Sequence, residues 1–243
     1  MELNSEIVST QDISDQLLER GFCFIDANTL SDFLGLSFAD FQGFATYWND
    51  LHEDKHLKDL GRYRFRRHSS YIVDAEKVVL APHRAHWQSL DYNALHGGMY
   101  RMFDPIDSSL NESSKWTKLI GGIAKLLVKQ EQTKTWYSEA HQFRITTSGG
   151  IGRPTPEGAH RDGVDFVAVI LIKRESIKGG ETRIFEIDGN LGFRFTLEQP
   201  WSVLLLDDHR MIHETTPIQE DGGSGYRDTL VLTFKGDSFQ QPG

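Results

Sequence analysis

Apolar residues recur at helical spacing in three segments of the chain. In the first, residues 12–20, the apolar side chains share one face, and Gly21 follows as a typical C-terminal signal. Aromatic and aliphatic residues at the same spacing predict two longer amphipathic helices, over residues 38–51 and 113–130. We expect the apolar faces of these helices to pack against a sheet.

Short β-rich runs between turn residues predict the strands of that sheet. Residues 202–206 are apolar without alternation, as in a strand that is covered on both faces. The strands are predicted at residues 22–26, 62–73, 78–81, 135–147, 164–173, 183–188, 192–197, 202–206 and 229–235. Together they predict a mainly β fold with flanking helices (α+β), built on a double-stranded β-helix, the cupin-like jelly roll. We expect a single domain over 1–243, in which residues 1–134 support a jelly-roll core at 135–236.

Composition and charge narrow the choice of partners. The chain has 243 residues, 38% of them hydrophobic and 25% charged, which is enough for one large core. A net charge of −9 argues against nucleic acid or an anionic membrane as the partner, because both favour clustered Lys and Arg. A small polar substrate is favoured instead.

The cysteine content and the N-terminal sequence indicate in which cellular compartment the protein is expected. Cys23 is the only cysteine, so an intrachain disulfide is impossible, and its apolar surroundings predict a buried structural thiol. Residues 1–11 are polar, and the chain has no run of 18 apolar residues. We therefore expect neither secretion nor a membrane span, and a cytoplasmic location.

Two histidines and an aspartate in the C-terminal half form a candidate metal site. His160 and Asp162 are two residues apart, so one extended strand end can present both side chains to one ion. His213 follows a later strand, with His209 as a rival third ligand. Two imidazoles and one carboxylate are the ligand set of the non-haem Fe(II) facial triad, which leaves open positions on the metal.

Arg227 opens the last predicted strand and is a candidate anchor for an acidic cosubstrate. A planar guanidinium binds a carboxylate through two parallel hydrogen bonds, and Thr229, two residues on, could donate a third. A surface arginine and an ordinary strand threonine are the alternatives. The His-x-Asp pattern also occurs at 52–54, but in a polar run typical of a solvated helix end or loop, so we interpret that copy as a decoy.

Four short motifs together resemble the Fe(II)/2-oxoglutarate dioxygenase superfamily. They are 158–163 (GAHRDG), 179–182 (GGET), 213–217 (HETTP) and 226–229 (YRDT). The resemblance covers about residues 140–235. Within the superfamily, the motifs resemble the bacterial branch that hydroxylates free L-amino acids such as isoleucine and leucine. The resemblance implies that His160, Asp162 and His213 bind Fe(II), that Arg227 binds 2-oxoglutarate, and that O2 is consumed.

Other polar residues are candidates for substrate or cosubstrate binding. Arg64 and Arg66 share one face of a predicted strand with Arg62, and could hold a substrate carboxylate or merely cover apolar neighbours. Gln142 and Arg144 share a face of another strand. Gln142 is a candidate for 2-oxoglutarate and Arg144 for the substrate, and a satisfied pair in the barrel wall is the alternative.

The turn-rich segment 148–158 precedes His160 and is either a mobile loop over the metal or a simple connection. The favoured hypothesis is an Fe(II)/2-oxoglutarate-dependent hydroxylase that acts on an aliphatic carbon of a small substrate, a free L-amino acid in particular, and releases succinate. A peptide or protein hydroxylase or demethylase on the same iron core is the second hypothesis. A non-catalytic, cupin-like ligand-binding protein is the third.

Overall fold

The computed structural model describes residues 10–58, 61–74, 77–131, 135–189 and 191–242. Residues 1–9, on which the expectation about secretion partly rests, lie outside them. The helices are α1 (Thr10–Arg20), α2 (Ala27–Leu34), α3 (Phe38–Ala45), α4 (Ser108–Asn111) and α5 (Ser114–Glu131), with a 3-10 helix at Thr46–Asp50. The strands are β1 (Phe22–Ile25), β2 (His52–Glu53), β3 (Arg64–Asp74), β4 (Val78–Leu80), β5 (Thr135–Thr146), β6 (Phe166–Glu175), β7 (Ile177–Gly179), β8 (Glu181–Glu186), β9 (Gly192–Thr196), β10 (Val203–Asp207), β11 (Met211–Thr215), β12 (Ile218–Glu220) and β13 (Tyr226–Lys235).

Eight of these strands form one sheet in the order β1-β10-β6-β13-β5-β3-β2, with β4 paired to β3. Every pairing in it is antiparallel. A three-stranded sheet has the order β11-β8-β9, and β12 pairs with β7. The N-terminal strands β1 and β3 therefore lie in the same sheet as β5 and β13. The single-domain organisation stays a prediction.

The large sheet is covered on both faces. Ala168 of β6 points toward the helices and belongs to the larger core together with Trp116 of α5. Val167, its neighbour, points to the other face and packs with Ile184 of the three-stranded sheet. Because both faces are buried, β6 reads as an almost uninterrupted apolar run. The arrangement of stacked antiparallel sheets with helices on one outer face agrees with the predicted mainly β class.

Most predicted elements are present, with ends shifted by a few residues. The helix predicted over 38–51 is wrong in its second half, because the chain tightens into a 3-10 helix after Ala45. Sequence reading missed α2, although its end signals are present: Asp26 accepts hydrogen bonds from the first turn, and Gly35 has a left-handed φ of 53°. It also missed β2, β7, β11 and β12, which are only two to five residues long.

Cys23 is buried, as predicted, and burial raises the pKa of its thiol to about 12. Within the described part of the chain, no helix has both the length and the apolar character needed to cross a membrane.

Trp201 joins the helices to the sheet. Its ring stacks on Phe41 of α3, with centroids 4.5 Å apart and planes 11° apart, and only 4% of the residue is exposed. Its φ of 68° lies in the left-handed region, which is unfavourable for a bulky residue. Packing of the indole therefore holds the backbone in a strained conformation.

We expect Trp201→Ala to lower the free energy of unfolding by about 3–5 kcal/mol, because it leaves a cavity in the core. Trp201→Gly should be less destabilised than the alanine variant by about 1 kcal/mol, because glycine adopts a positive φ without strain. Urea unfolding of the two variants measures the difference. An alanine variant that is as stable as the glycine variant would contradict the strain at this position.

Candidate active site

One cavity lies between the inner face of the large sheet and the smaller sheets. Arg227 and Thr229 of β13 line it from one side, and His213 of β11 lines it from another. His160 and Asp162, which precede β6, also face it. The structure therefore brings the three predicted metal ligands and the predicted anion anchor to the wall of one cavity.

His160, Asp162 and His213, which we call the metal group, each offer one ligand atom, and these atoms lie within 4.8 Å of one another. The carboxylate of Asp162 is 3.9 Å from Nε2 of His160 and 3.6 Å from Nε2 of His213. Nδ1 of His160 lies 2.9 Å from the carbonyl oxygen of Gly158. A proton on Nδ1 leaves a lone pair on Nε2, so this contact selects the tautomer that can bind a metal.

The backbone fixes the two histidines relative to each other. The amide of His160 donates to the carbonyl of His213 at 3.0 Å, and the amide of His213 donates to the carbonyl of His160 at 2.9 Å. The imidazole centroids lie 4.7 Å apart. Two residues that are distant in sequence are thus held as one antiparallel bridge.

Burial favours the neutral imidazole at His213. Burial and the neighbouring His160 together lower the pKa of His213 to about 4. Burial alone would lower the pKa of His160 as well, but the carboxylates of Asp162 and Glu157 raise it on balance. Neutral imidazole and ionised carboxylate are the forms that coordinate a metal, so the donor set fits a divalent ion.

Asp208 holds the turn that carries Asp162. Its Oδ1 accepts the backbone N–H of Asp162 at 2.9 Å, and its Oδ2 accepts those of Gly163 and Val164 at 2.8 and 3.1 Å. Gly163 has a φ of 78°, and a Cβ there would lie 2.3 Å from the ring of Tyr92. Burial and the nearby Asp162 raise the pKa of Asp208 to about 6. The turn is therefore specified by a buried acceptor and by a glycine.

We expect Asp208→Asn to weaken divalent-metal binding by about 10- to 100-fold. The free energy of unfolding should fall by about 1–3 kcal/mol, because an amide has one acceptor oxygen where the carboxylate uses two. Metal titration and urea unfolding measure the two effects. Asp207→Asn is the matched control, since Asp207 accepts the backbone N–H of His209 and not the turn. Unchanged metal affinity in Asp208→Asn would contradict this role.

The two alternative candidates for metal ligands, His209 and the His-x-Asp pattern at 52–54, contact other residues instead. His209 lies 2.8 Å from the carboxylate of Asp165, and its side chain is 59% exposed. In the decoy motif, Asp54 accepts a hydrogen bond from Nε of Arg64 at 2.8 Å. His52 lies in the exposed strand β2, where the loop or helix end predicted for it was wrong. Neither His209 nor this motif joins the metal group.

Arg227 is a buried cation on the wall of the cavity. The residue is 3% exposed, and its Nε and Nη2 have no hydrogen-bond partner among the described residues. Its neighbour Asp228 binds Arg144 instead. Burial, and then repulsion by Arg174, lowers the pKa of Arg227 to about 10, so the guanidinium stays charged near neutral pH. A buried, unpaired charge is costly, and the arrangement therefore fits an anionic ligand.

Arg64 and Arg66 are buried and line the cavity, whereas Arg62 lies outside β3 and is exposed. The guanidinium of Arg66 lies between two rings, 3.7 Å from the centroid of Phe103 and 4.4 Å from that of Phe143. Its Nε has no partner within the described ranges. These two arginines are thus placed where a substrate carboxylate could reach them.

Gln142 and Arg144 lie on the opposite face of β5 from the cavity, which corrects the prediction for both. Gln142 pairs in register with Leu230, a member of the core that packs on the helices. Arg144 makes a bidentate ion pair with Asp228, at 2.8 and 2.7 Å. Alternation placed the two residues on one face correctly but could not tell which face meets the cavity. The alternative, residues satisfied within the barrel wall, holds for Arg144.

Sequence reasoning missed several charged residues of the cavity. Arg101 and His86 lie in the irregular segment 81–107, where no periodicity predicts which way a side chain points. Glu157 lies in the turn-rich segment before His160, and its Oε1 is 3.6 Å from the Nε2 of that histidine. His86, two further histidines and Glu139 form a second buried group. A Glu-x-His pattern at 139–141, within a predicted strand, was the available signal.

Comparison with known proteins identifies the family. A family model described as 2OG-Fe dioxygenase matches residues 45–233, which include the metal group and Arg227. The chain belongs to the 2OG-Fe dioxygenase family. It is therefore an Fe(II)/2-oxoglutarate-dependent enzyme, and the predicted resemblance is confirmed.

Individual relatives agree with this assignment. The crystal structure of a bsmA homolog from Methylobium petroleophilum PM1 has 46% identity and a TM-score of 0.93, over 97% of this chain and 96% of that one. L-isoleucine-4-hydroxylase of Bacillus thuringiensis is 26% identical over 187 residues, 72% of this chain and 75% of that protein. The crystal structure of IDO from Bacillus thuringiensis has a TM-score of 0.77 at 21% identity, covering 96% and 100% of the two chains, and so shares the fold. The predicted jelly-roll class is confirmed.

Proposed function

We propose that this 2OG-Fe dioxygenase hydroxylates an aliphatic carbon of a free L-amino acid in the cytoplasm. In the proposal, His160, Asp162 and His213 hold Fe(II), and Arg227 with Thr229 holds 2-oxoglutarate. When bound, iron and 2-oxoglutarate supply the oxidising chemistry with O2, and 2-oxoglutarate leaves as succinate and CO2. The task of the chain is to position these groups and the substrate.

The observation that carries the cosubstrate assignment is the buried, unpaired Arg227 on the cavity of the metal group. Two free N–H groups on one guanidinium match the two oxygens of a carboxylate. Thr229 lies two residues on along β13, on the same face, and also lines the cavity. A dicarboxylate that is bound at one end by Arg227 fits this arrangement.

Charged groups of both signs support an amino acid as the substrate. Arg66 and Arg101 line the cavity, and each has an Nε without a partner in the described part of the chain. Glu157 also lines the cavity, and its buried Oε2 has no hydrogen-bond partner among the residues that the structure describes. A carboxylate can accept from the free Nε groups of the two arginines, and an ammonium group can pair with Glu157. The relationship to L-isoleucine-4-hydroxylase supports the same substrate class.

The direct test incubates the purified chain with Fe(II), 2-oxoglutarate and each proteinogenic amino acid in turn under air. We expect at least one amino acid to give substrate-dependent succinate together with a product that is heavier by one oxygen atom. A parallel set of short peptides tests the peptide-hydroxylase alternative. Turnover with the peptides alone would overturn the proposed substrate class but not the family.

Arg66→Met should raise KM for the amino acid by about 10- to 100-fold, because each hydrogen bond to a charged group contributes about 1.5–3 kcal/mol. KM for 2-oxoglutarate should change little, which separates this residue from Arg227. Arg67→Met is the matched control on the same strand, since Arg67 points to the other face and binds Asp50. An unchanged KM for the amino acid in Arg66→Met would remove Arg66 from the substrate site.

A further inference from the structure

Four ligand-type side chains form a second buried cluster that is separate from the metal group. We call His68, His86, Glu139 and His141 the histidine group. Their candidate ligand atoms lie within 4.8 Å of one another, and all four residues are buried. His86, Glu139 and His141 line the cavity. Nothing in the proposed hydroxylation requires this group.

The fold assembles the group from three segments. His68 of β3 lies directly opposite His141 of β5 in the sheet register. Glu139 precedes His141 by two residues and so points to the same side of β5. His86 lies after β4, where a backbone bridge to Arg101 fixes it.

The spacing around Glu139 suits ligands of one ion. Nε2 of His68 is 3.3 Å from Oε1 of Glu139, and Nδ1 of His86 is 2.8 Å from Oε2. Ligand atoms on an ion with bonds of about 2.1 Å stand roughly 3 Å apart.

His68 itself needs a partner. The residue is 0% exposed, and neither ring nitrogen has a well-formed hydrogen bond to any residue that the structure describes. The contact with Glu139 is close enough for an ion pair but not for a directed hydrogen bond. Fully buried polar groups almost always have partners, and a metal ion between His68 and Glu139 would provide one.

His141 differs from the other members of the histidine group because one of its ring nitrogens already binds Arg66. Nη2 of Arg66 lies 2.6 Å from Nδ1 of His141, and because an arginine can only donate, Nδ1 must accept. The proton of the neutral ring is then on Nε2, which lies 3.9 Å from Oε2 of Glu139. A protonated nitrogen cannot bind a metal, so this tautomer of His141 is not a ligand. The remaining ligands are His68, His86 and Glu139.

We propose that His68, His86 and Glu139 bind a second divalent transition-metal ion. Two imidazoles and one carboxylate suit zinc, iron, cobalt or nickel better than magnesium or calcium. Since two of the three ligands line the cavity, the open coordination positions of this ion face the substrate space. The competing explanation is a metal-free network in which all three imidazoles donate N–H groups to Glu139.

Metal counting separates the two explanations without any activity assay. The protein is stripped with a chelator, reloaded with Zn2+, freed of excess metal and analysed by mass spectrometry for zinc per chain. We expect two zinc ions in the wild type, one in His68→Phe and one in His213→Ala. His209→Ala, an exposed histidine outside both groups, should keep two. Circular dichroism checks that each variant is folded.

Wild-type protein with a single zinc that is lost in His213→Ala and kept in His68→Phe would overturn the second site. Loss of zinc in His68→Phe with no loss in His213→Ala would instead count against the metal group of the proposed function. Should His68→Phe fail to fold, crystals of the zinc-loaded wild type decide the question by anomalous diffraction at the zinc edge. A peak between His68, His86 and Glu139 is the expected result, and its absence there overturns the proposal.

Discussion

Arg227→Met is expected to raise KM for 2-oxoglutarate by about 100-fold or more. Methionine fills much of the same volume but removes the charge that is proposed to bind the distal carboxylate. Each hydrogen bond to a charged group contributes about 1.5–3 kcal/mol, and 1.4 kcal/mol is tenfold in affinity. Succinate formation measured over a range of 2-oxoglutarate concentrations gives the constant.

Arg227→Lys should fall between the wild type and Arg227→Met, because an ammonium group keeps the charge but cannot make two parallel hydrogen bonds. Arg144→Met is the control on the other face of the sheet. It should reduce stability through the loss of the ion pair with Asp228 and leave KM for 2-oxoglutarate unchanged. A wild-type KM for 2-oxoglutarate in Arg227→Met would contradict the proposal that Arg227 binds this cosubstrate.

Asp162→Ala and His213→Ala should each reduce succinate formation on the order of 1000-fold, because loss of a direct ligand is more severe than the 10- to 100-fold cost of losing a residue that orients one. Iron bound per chain should fall in parallel. The metal group explains both effects together, since its three ligand atoms lie within 4.8 Å of one another. Anaerobic iron titration and single-turnover assays measure them.

His209→Ala separates the metal group from its sequence rival. Its imidazole is bound to Asp165 and half exposed, so the variant should keep iron and turnover. If instead His209→Ala lost iron while His213→Ala retained it, the third ligand would have been assigned to the wrong histidine.

The fold class was predictable because its signals are repeated along the chain. The long strands β3, β5, β6 and β13 have ten or more residues, of which a substantial part alternates or is continuously apolar, and each was predicted. Four of the shorter strands, β2, β7, β11 and β12, were missed, since two to five residues carry only one or two periods of the pattern. The helix α2 was missed although Asp26 and Gly35 mark its ends, because its eight residues carry only a short apolar pattern.

The candidate site was predictable where two side chains are two residues apart on an extended backbone. His160 with Asp162, and Arg227 with Thr229, are pairs two residues apart, and the structure places both pairs on the cavity. Gln142 and Arg144 form a pair of the same kind on the wrong face. Alternation defines two faces, but only the packing of helices against one of them decides which becomes the barrel interior. The roles of all these residues in binding stay predictions until the variants are measured.

The backbone bridge between His160 and His213 has a consequence for how the protein would let go of its iron. The main chains of the two histidines cannot be separated by loop motion alone, because two amide hydrogen bonds join them. Release of the ion therefore requires either that the bridge between His160 and His213 opens locally or that Asp162 dissociates from the ion first. Asp162 lies on a separate turn that Asp208 holds, so it can leave the ion while the bridge between the two histidines stays intact.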